Sequence, residues 1–257
     1  MTTRRIASPR IALTLVFALS IAVCVAASNP APSRSQSRCI LAVLDVTPSY
    51  HGGVAAMDRI KGVVRALGPG DTFLLLKLGG TFSPEDSVKV QCLMPPVAPD
   101  LLEPARNIPE FQQRKARLDA EWAAAARKQA ALLRALDKPW PGQYVTPPYL
   151  LLEYVSHWLA TAPPSAEKRL LLFTDLKHDA AGVNSAMPPK RPLAFGGVSA
   201  LALFVPWEDD WAAREKAWAD WFGRSGSPGF SMLDAARSSV APLLAPNSTP
   251  REPGKTW

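Results

Sequence analysis

Cysteines, histidines and charged residues are all scarce in this chain of 257 residues. It contains three cysteines and three histidines, and charged residues make up 20% of it against 47% hydrophobic residues. So few cysteines exclude a small domain held together by a disulfide network, and so large a hydrophobic share excludes a disordered polymer. A single apolar run, near the N-terminus, is long enough to consider as a membrane span, which excludes a polytopic membrane protein.

Two compact signatures of hydrolases and a strong net charge are also missing. The sequence has neither the His-Glu-x-x-His pattern of zinc peptidases nor the Gly-x-Ser-x-Gly pattern of serine hydrolases. Its net charge is +7, and Arg4, Arg5 and Arg10 supply three of these charges, which leaves +4 for the chain after residue 27. So small an excess does not predict binding to nucleic acid.

Residues 1–27 have the composition of an export signal. The three N-terminal arginines precede an apolar run, Ile11–Ala27, which is typical of a secretory signal. Cleavage before Ser28, lipidation at Cys24 and retention as an uncleaved anchor all remain open. A linker over residues 28–37 follows, rich in Ser, Pro and Arg. We therefore expect an exported protein of the periplasm, the cell envelope or the medium, which contacts a membrane only through this segment or a lipid on Cys24.

The remaining chain alternates apolar runs with amphipathic segments. Cys39–Asp45 and Thr72–Leu78 are continuously apolar, as in strands buried on both faces, while Met57–Leu67 has helical spacing. This alternation predicts an α/β fold with a doubly wound, mostly parallel sheet flanked by helices, over residues 38–245, with a flexible tail at 246–257. Further strands are predicted at Val88–Leu93 (short, and antiparallel in one interpretation), Arg169–Asp175 and Val198–Val205, further helices at Pro147–Ala160 and Trp207–Phe222, and either a strand plus a helix or a helix alone at Ser231–Leu244.

One predicted helix is much longer than the others. Residues 110–136 carry a single apolar stripe that includes Phe111, Trp122 and Leu132, and as a helix they would extend for about 40 Å. The stripe either packs on the domain or forms a partner-binding surface.

Oxygen-bearing side chains collect where predicted strands end. Asp45, Thr47 and Ser49 occupy alternate positions after the first strand, Asp175 ends a later strand, and Thr146 precedes a helix. In open α/β sheets, ligands bind at the carboxyl ends of the strands. Five oxygen ligands, two of them anionic, suit a hard cation, namely Mg²⁺, with Mn²⁺ or Ca²⁺ as alternatives. The same residue types also cap helices and close turns.

The sequence around these residues resembles the von Willebrand factor type A family. DVTPSY followed by a helix and then by ALGPGDTFLLLKL is similar to the opening of that domain, and the resemblance extends over roughly residues 38–222. The family has an Asp-x-Ser/Thr-x-Ser loop, a later Thr, and an Asp after the fourth strand, which together form a metal-ion-dependent adhesion site. Leu176 departs from the pattern, because a glycine usually follows the last Asp. The resemblance assigns the metal ligands to Asp45, Thr47, Ser49, Thr146 and Asp175.

Binding rather than catalysis is what the resemblance implies. The hydroxyls of Thr47 and Ser49 would bind the metal directly, and Thr146 directly or through water. Asp45 and Asp175 would bind it directly or accept hydrogen bonds from its ligands. A carboxylate from a partner protein, or water, would complete the octahedron that Mg²⁺ prefers. The expected function is Mg²⁺-dependent binding of another protein outside a bacterial cytoplasm.

The family's sheet order also bears on the two cysteines beyond the signal. It places the second strand between the first and an antiparallel third strand, so Cys39 and Cys92 would stand two strand spacings apart. That separation, about 9–10 Å, exceeds the reach of a disulfide unless the strand ends bend together.

Two other functions remain open from the residues. A haloacid-dehalogenase-like phosphohydrolase would use Asp45 as nucleophile and Thr174 to bind phosphate. Lys168 or Lys177 would stabilise charge, and Asp209 and Asp210 would hold Mg²⁺. Asp209 and Asp210 would equally suit the first turn of the predicted helix beside them. The second alternative is an assembly scaffold that uses the long helix and no metal.

Overall fold

The computed structural model describes residues 37–47, 50–79, 88–96, 109–137, 148–180, 183–185 and 187–234. All of them belong to the unit Ser35–Trp257. The predicted export signal and tail lie outside the described residues, as does the linker apart from Ser37. Within these ranges, no helix is long and apolar enough to cross a membrane.

Six strands form one mixed sheet in the order β3-β2-β1-β4-β7-β8. Only the β2–β3 pair is antiparallel; the other neighbours are parallel. This confirms a mostly parallel α/β sheet and the antiparallel third strand. A separate two-stranded sheet pairs β5 with β6. The strands are β1 Arg38–Asp45, β2 Thr72–Leu78, β3 Val88–Leu93, β4 Glu167–Phe173, β5 His178–Ala180, β6 Val183–Ser185, β7 Val198–Leu203 and β8 Gly229–Leu233.

Helices cover both faces of the six-stranded sheet, which explains why its central strands contain continuous apolar runs. Leu41 and Val43 of β1 point to a core shared with helices α3 and α4, whereas Ile40, Ala42 and Leu44 point to a core shared with α1 and α2. Successive residues of a strand face opposite ways, so burial on both faces requires an apolar residue at every position. The helices are α1 Gly53–Arg65, α2 Pro109–Ala135, α3 Pro148–Ala160 and α4 Trp211–Arg224.

The predicted carboxyl ends of β4 and β7 and the predicted start of α4 were wrong. Strand β4 ends at Phe173, two residues before Asp175, and β7 ends at Leu203 because Phe204 has a positive φ of 58°. Helix α4 begins at Trp211 rather than at Trp207, whose side chain is 67% exposed. The four-residue spacing of these two tryptophans imitated a helical stripe, whereas their rings stack across the start of the helix, with centroids 5.1 Å apart.

Cys39 and Cys92 are both buried free thiols. In the register, Cys39 stands opposite Thr72 and Cys92 opposite Phe73, so the two cysteines belong to the strands on either side of β2. They also point to opposite faces of the sheet, because Cys39 packs with α3 and α4 and Cys92 with α1 and α2. The sheet itself therefore separates the two sulfur atoms.

A buried ion pair fixes the amino end of β1. The backbone amide of Arg38 donates to Asp71 at 2.8 Å, and its guanidinium donates to the same carboxylate. Asp71 also accepts from the amide of Gly68 at 2.7 Å. One carboxylate thus joins the start of β1 to the turn before β2.

We expect Asp71→Asn to lower the free energy of unfolding by about 3 kcal/mol, because it leaves the Arg38 guanidinium, on a side chain that is only 12% exposed, without its anionic partner. Urea unfolding monitored by circular dichroism measures this change. The control is Asp119→Asn, which breaks an exposed ion pair with Lys115 and should leave the free energy of unfolding unchanged. Equal effects of the two substitutions would contradict the structural role of Asp71.

Candidate functional site

The carboxyl edge of the sheet brings Asp45 beside the segment that follows β4. In the parallel register Leu44 pairs with Phe173, so the next residues, Asp45 and Thr174, lie side by side at the carboxyl edge of the sheet. Asp45 and Asp175 are 3% and 2% exposed. Two carboxylates buried at the ends of adjacent strands define the candidate site.

Three hydrogen bonds hold the Asp45 carboxylate. Its Oδ1 accepts from the amide and the hydroxyl of Thr47, at 2.8 and 2.6 Å, and its Oδ2 accepts from the hydroxyl of Thr174 at 2.7 Å. The bond from the Thr47 amide closes an Asx turn, in which an Asp side chain accepts a hydrogen bond from the backbone two residues later. The bond from Thr174 ties this turn to the end of β4.

Asp175 lies close enough for its charge to act on Asp45. The pKa of Asp45 is raised to about 6, chiefly by burial and to a smaller extent by the negative charge of Asp175, against the opposing effect of the hydrogen bonds from Thr47 and Thr174. Asp175 Oδ1 accepts a hydrogen bond from the amide of Lys177 at 2.9 Å. The site therefore concentrates negative charge in a poorly hydrated place.

Leu176, which follows Asp175 in the segment after β4, has an unusual backbone conformation. Its φ is 59°, in the left-handed region that favours glycine, and its amide donates to the hydroxyl of Thr174 at 3.1 Å. A left-handed conformation costs a non-glycine residue about 1–2 kcal/mol. The side chain is buried in the core shared with α3 and α4, and burial of a leucine contributes about 1.5–3 kcal/mol, enough to offset that cost.

The structure thus brings together three of the five predicted ligands. Asp45, Thr47 and Asp175 meet at one edge; Ser49 and Thr146 lie outside the described residues. Within the described ranges, no three His, Cys, Asp or Glu residues form a group that could hold a metal ion. Hydroxyl oxygens would therefore have to supply part of any coordination shell, together with the two carboxylates.

Sequence reasoning missed a charged network that fixes the Asp175 loop. The ammonium of Lys177 contacts Glu208, and Glu208 accepts from the guanidinium of Arg214 at 3.3 Å. Arg214 is fully buried in α4 and also donates to the carbonyl of Pro206 at 3.1 Å. Lys177 lies 31 residues before Glu208, so no spacing rule relates this pair.

Of the residues of the phosphohydrolase alternative, Thr174 bonds Asp45, whereas Lys168, Lys177 and Asp210 have other neighbours. Lys168 pairs in register with Cys39 near the start of β1, so it belongs to the opposite edge of the sheet. Lys177 contacts Glu208, and the Asp210 carboxylate lies 3.9 Å from the Arg214 guanidinium. Thr174, expected to bind phosphate in that alternative, donates to Asp45 instead.

Comparisons with known proteins give no family for this chain. No family model matches it, and no curated protein matches it. Solved structures of the pilus adhesin SpaC from Lactobacillus rhamnosus GG are similar. The open conformation has a TM-score of 0.46 at 13% identity, over 81% of this chain and 29% of the adhesin. Another form has a TM-score of 0.47 at 12% identity, over 82% of this chain and 30% of the adhesin. This chain spans less than a third of the adhesin, and similarity at this level identifies neither its family nor its activity.

Without metal, we expect protonation of Asp45 to stabilise the fold. Its pKa is about 6 in the folded chain against 3.8 for the ordinary group, so this stabilisation is full below pH 3.8 and is lost as the pH rises through 6. Between pH 5 and pH 7 the loss amounts to about 1 kcal/mol. The measurement is urea unfolding in metal-free buffer across this range.

The comparison variant for this titration is Asp45→Asn, which cannot ionise. Between pH 5 and pH 7 its free energy of unfolding should fall by about 1 kcal/mol less than that of the wild type. Parallel pH profiles for the two proteins would show that Asp45 does not titrate in this range.

Proposed function

We propose that this chain is an exported von Willebrand factor type A-like protein that binds a partner protein through a Mg²⁺-dependent site. The sheet order supports the proposal, since β2 lies between β1 and an antiparallel β3 as the family's order requires. The left-handed backbone of Leu176 supports it as well, because this is the position where the family usually has glycine. Export is proposed from the N-terminal sequence.

The burial of Asp45 beside Asp175 is the observation that carries the metal proposal. Burial, and to a smaller extent the negative charge of Asp175, raise the pKa of Asp45, and among the described residues no cationic side chain lowers it. Two carboxylates buried together are unfavourable unless positive charge or protons compensate them. A divalent cation would provide that charge at neutral pH.

The proposed coordination uses oxygen atoms from separate parts of the chain. The hydroxyls of Thr47 and Ser49 would bind the cation directly, and Thr146 would bind it directly or through water. Asp45 would bind it or orient the hydroxyl of Thr47, which already donates to Asp45 Oδ1 at 2.6 Å. A hydroxyl that donates its proton to a carboxylate is a better ligand for a cation, because the bond increases the negative charge on its oxygen.

A partner carboxylate would complete the shell of the cation, which makes binding of the partner depend on metal. Trp207 adds an exposed aromatic ring to the loop after β7, at the same edge of the sheet. This loop also carries Glu208, which contacts Lys177 of the Asp175 loop. Exposed tryptophans are enriched among residues that dominate protein interfaces.

We expect the full chain to bind Mg²⁺ in isothermal titration calorimetry, and Asp45→Asn to weaken this binding by at least about 10-fold. At a Mg²⁺ concentration of about 100 times the dissociation constant, the bound cation should stabilise the wild type by about 2.7 kcal/mol. Absence of Mg²⁺ binding by the wild type would refute the proposal.

Asp209→Ala separates this proposal from the phosphohydrolase alternative. Asp209 is exposed, so an adhesion-type site predicts unchanged Mg²⁺ affinity in this variant. A phosphohydrolase that holds Mg²⁺ through Asp209 predicts its loss, together with turnover of p-nitrophenyl phosphate and trapping of an acyl phosphate analogue by beryllium fluoride. Retained affinity without turnover supports the adhesion-type site.

Capture of partners from bacterial envelope extracts tests the protein-binding part of the proposal. The immobilised full chain should capture a partner in Mg²⁺, and both EDTA and Asp45→Asn should abolish the capture. Capture that survives both treatments would instead favour a metal-independent scaffold. Helix α2 is its candidate surface, since the buried residues of α2, Ala125 and Leu132, both lie in its C-terminal half.

A further inference from the structure

Tyr50 links the Asp45 loop to the end of β7. Its amide donates to the carbonyl of Thr47 at 3.1 Å, and its hydroxyl donates to the carbonyl of Leu203 at 3.4 Å. Because β4 lies between β1 and β7 in the sheet, this side chain reaches past the strand that leads to Asp175. The ring is 5% exposed and belongs to the core shared with α1 and α2.

The ring also adjoins the two carboxylates of the site. Burial raises the pKa of the Tyr50 hydroxyl, and the negative charges of Asp45 and Asp175 raise it further, so all three groups lie close together. The bond to Leu203 is long for a pair of oxygen atoms, so ring packing fixes Tyr50 more than its hydroxyl does.

Gly52 provides the space that the ring occupies. A Cβ atom at position 52 would lie 2.6 Å from both Cζ and Oη of Tyr50, and 2.9 Å from its Cε2. Gly52 has a φ of −78°, which any residue adopts readily, so the backbone does not require glycine. The close approach of the Tyr50 ring is the reason that a side chain does not fit there.

We infer that Tyr50 is a positioning residue of the proposed metal site, seated against Gly52 so that its ring holds the Thr47 turn beside the Asp45 carboxylate. Thr47 is then fixed by its two bonds to Asp45, and Tyr50 by the bond of its amide to Thr47 and by the packing of its ring. The inference rests on the proposed function, because it assigns Tyr50 a role in presenting the hydroxyl ligands of that site.

Gly52→Ala tests the inference, and the adjacent Gly53→Ala is its matched control. A Cβ at Gly53 meets no atom within 4 Å, so that substitution adds the same methyl group one residue away without displacing the ring. We expect Gly52→Ala to weaken Mg²⁺ binding by about 10-fold in isothermal titration calorimetry, and Gly53→Ala to leave it unchanged. Equal Mg²⁺ affinities of the two variants would overturn the inference.

Amide hydrogen exchange reports on the turn without metal. In metal-free buffer the Thr47 amide, which bonds Asp45, should exchange about 10-fold faster in Gly52→Ala than in wild type. The Val46 amide bonds Leu78 of β2 and should not change. A wild type that binds no Mg²⁺ would refute the proposed function, whereas unchanged Thr47 exchange in Gly52→Ala would refute the positioning role.

Tyr50→Leu provides the same measurements if Gly52→Ala does not fold. Leucine keeps an apolar side chain in the core and removes the ring, so it should also weaken Mg²⁺ binding and accelerate exchange at Thr47. A merely structural role for the ring would lower the melting temperature of the metal-free protein, while Mg²⁺ affinity and Thr47 exchange stayed as in wild type. That result would contradict the inference.

Discussion

The parallel pairing of β1 with β4 is the constraint on which the candidate site depends. Because Leu44 stands level with Phe173, the chain leaves both strands at the same height, and the hydroxyl of Thr174 reaches the carboxylate of Asp45. A shift of this register by one residue would turn the side chains of one strand to the opposite face. The apolar cores on both faces oppose such a shift, so the packing of the sheet also fixes the geometry of its edge.

Much of the fold could be predicted, because burial on both faces leaves a clear signal in sequence. The bounds of Thr72–Leu78 and Val88–Leu93 are as predicted, and the long helix Pro109–Ala135 differs from its prediction by one residue at each end. The antiparallel pair of β5 and β6 was not predicted, because strands of three residues carry too little periodicity. Trp207 was wrongly assigned to the helix because it lies four residues before Trp211, a spacing that also occurs in helices. In the structure the two rings stack at the start of the helix instead.

The candidate site was less predictable than the fold, since side-chain contacts join residues that are distant in sequence. Asp45, Thr47 and Asp175 could be placed at one edge of the sheet because each ends or follows a recognisable strand. The positions of Ser49 and Thr146 stay predictions, as does the binding of metal by all five residues. The only indication that Thr174 belongs to the site was its position next to Asp175 in the sequence. No sequence pattern pairs Glu208 with Lys177 or with Arg214. Local chemistry predicts the turn after a strand, whereas the partners across the sheet edge depend on three-dimensional packing.

The arrangement of Lys177 and Glu208 has an electrostatic consequence for ligand choice. Since Glu208 already serves as counter-ion to both Lys177 and the buried Arg214, the ammonium group is not directed at Asp45 and Asp175. The two carboxylates therefore keep their negative potential, whereas Asp210 lies beside the cationic Arg214. A negative potential repels phosphate esters and other polyanions while it attracts cations. The edge would thus act as an electrostatic filter before any ligand makes contact.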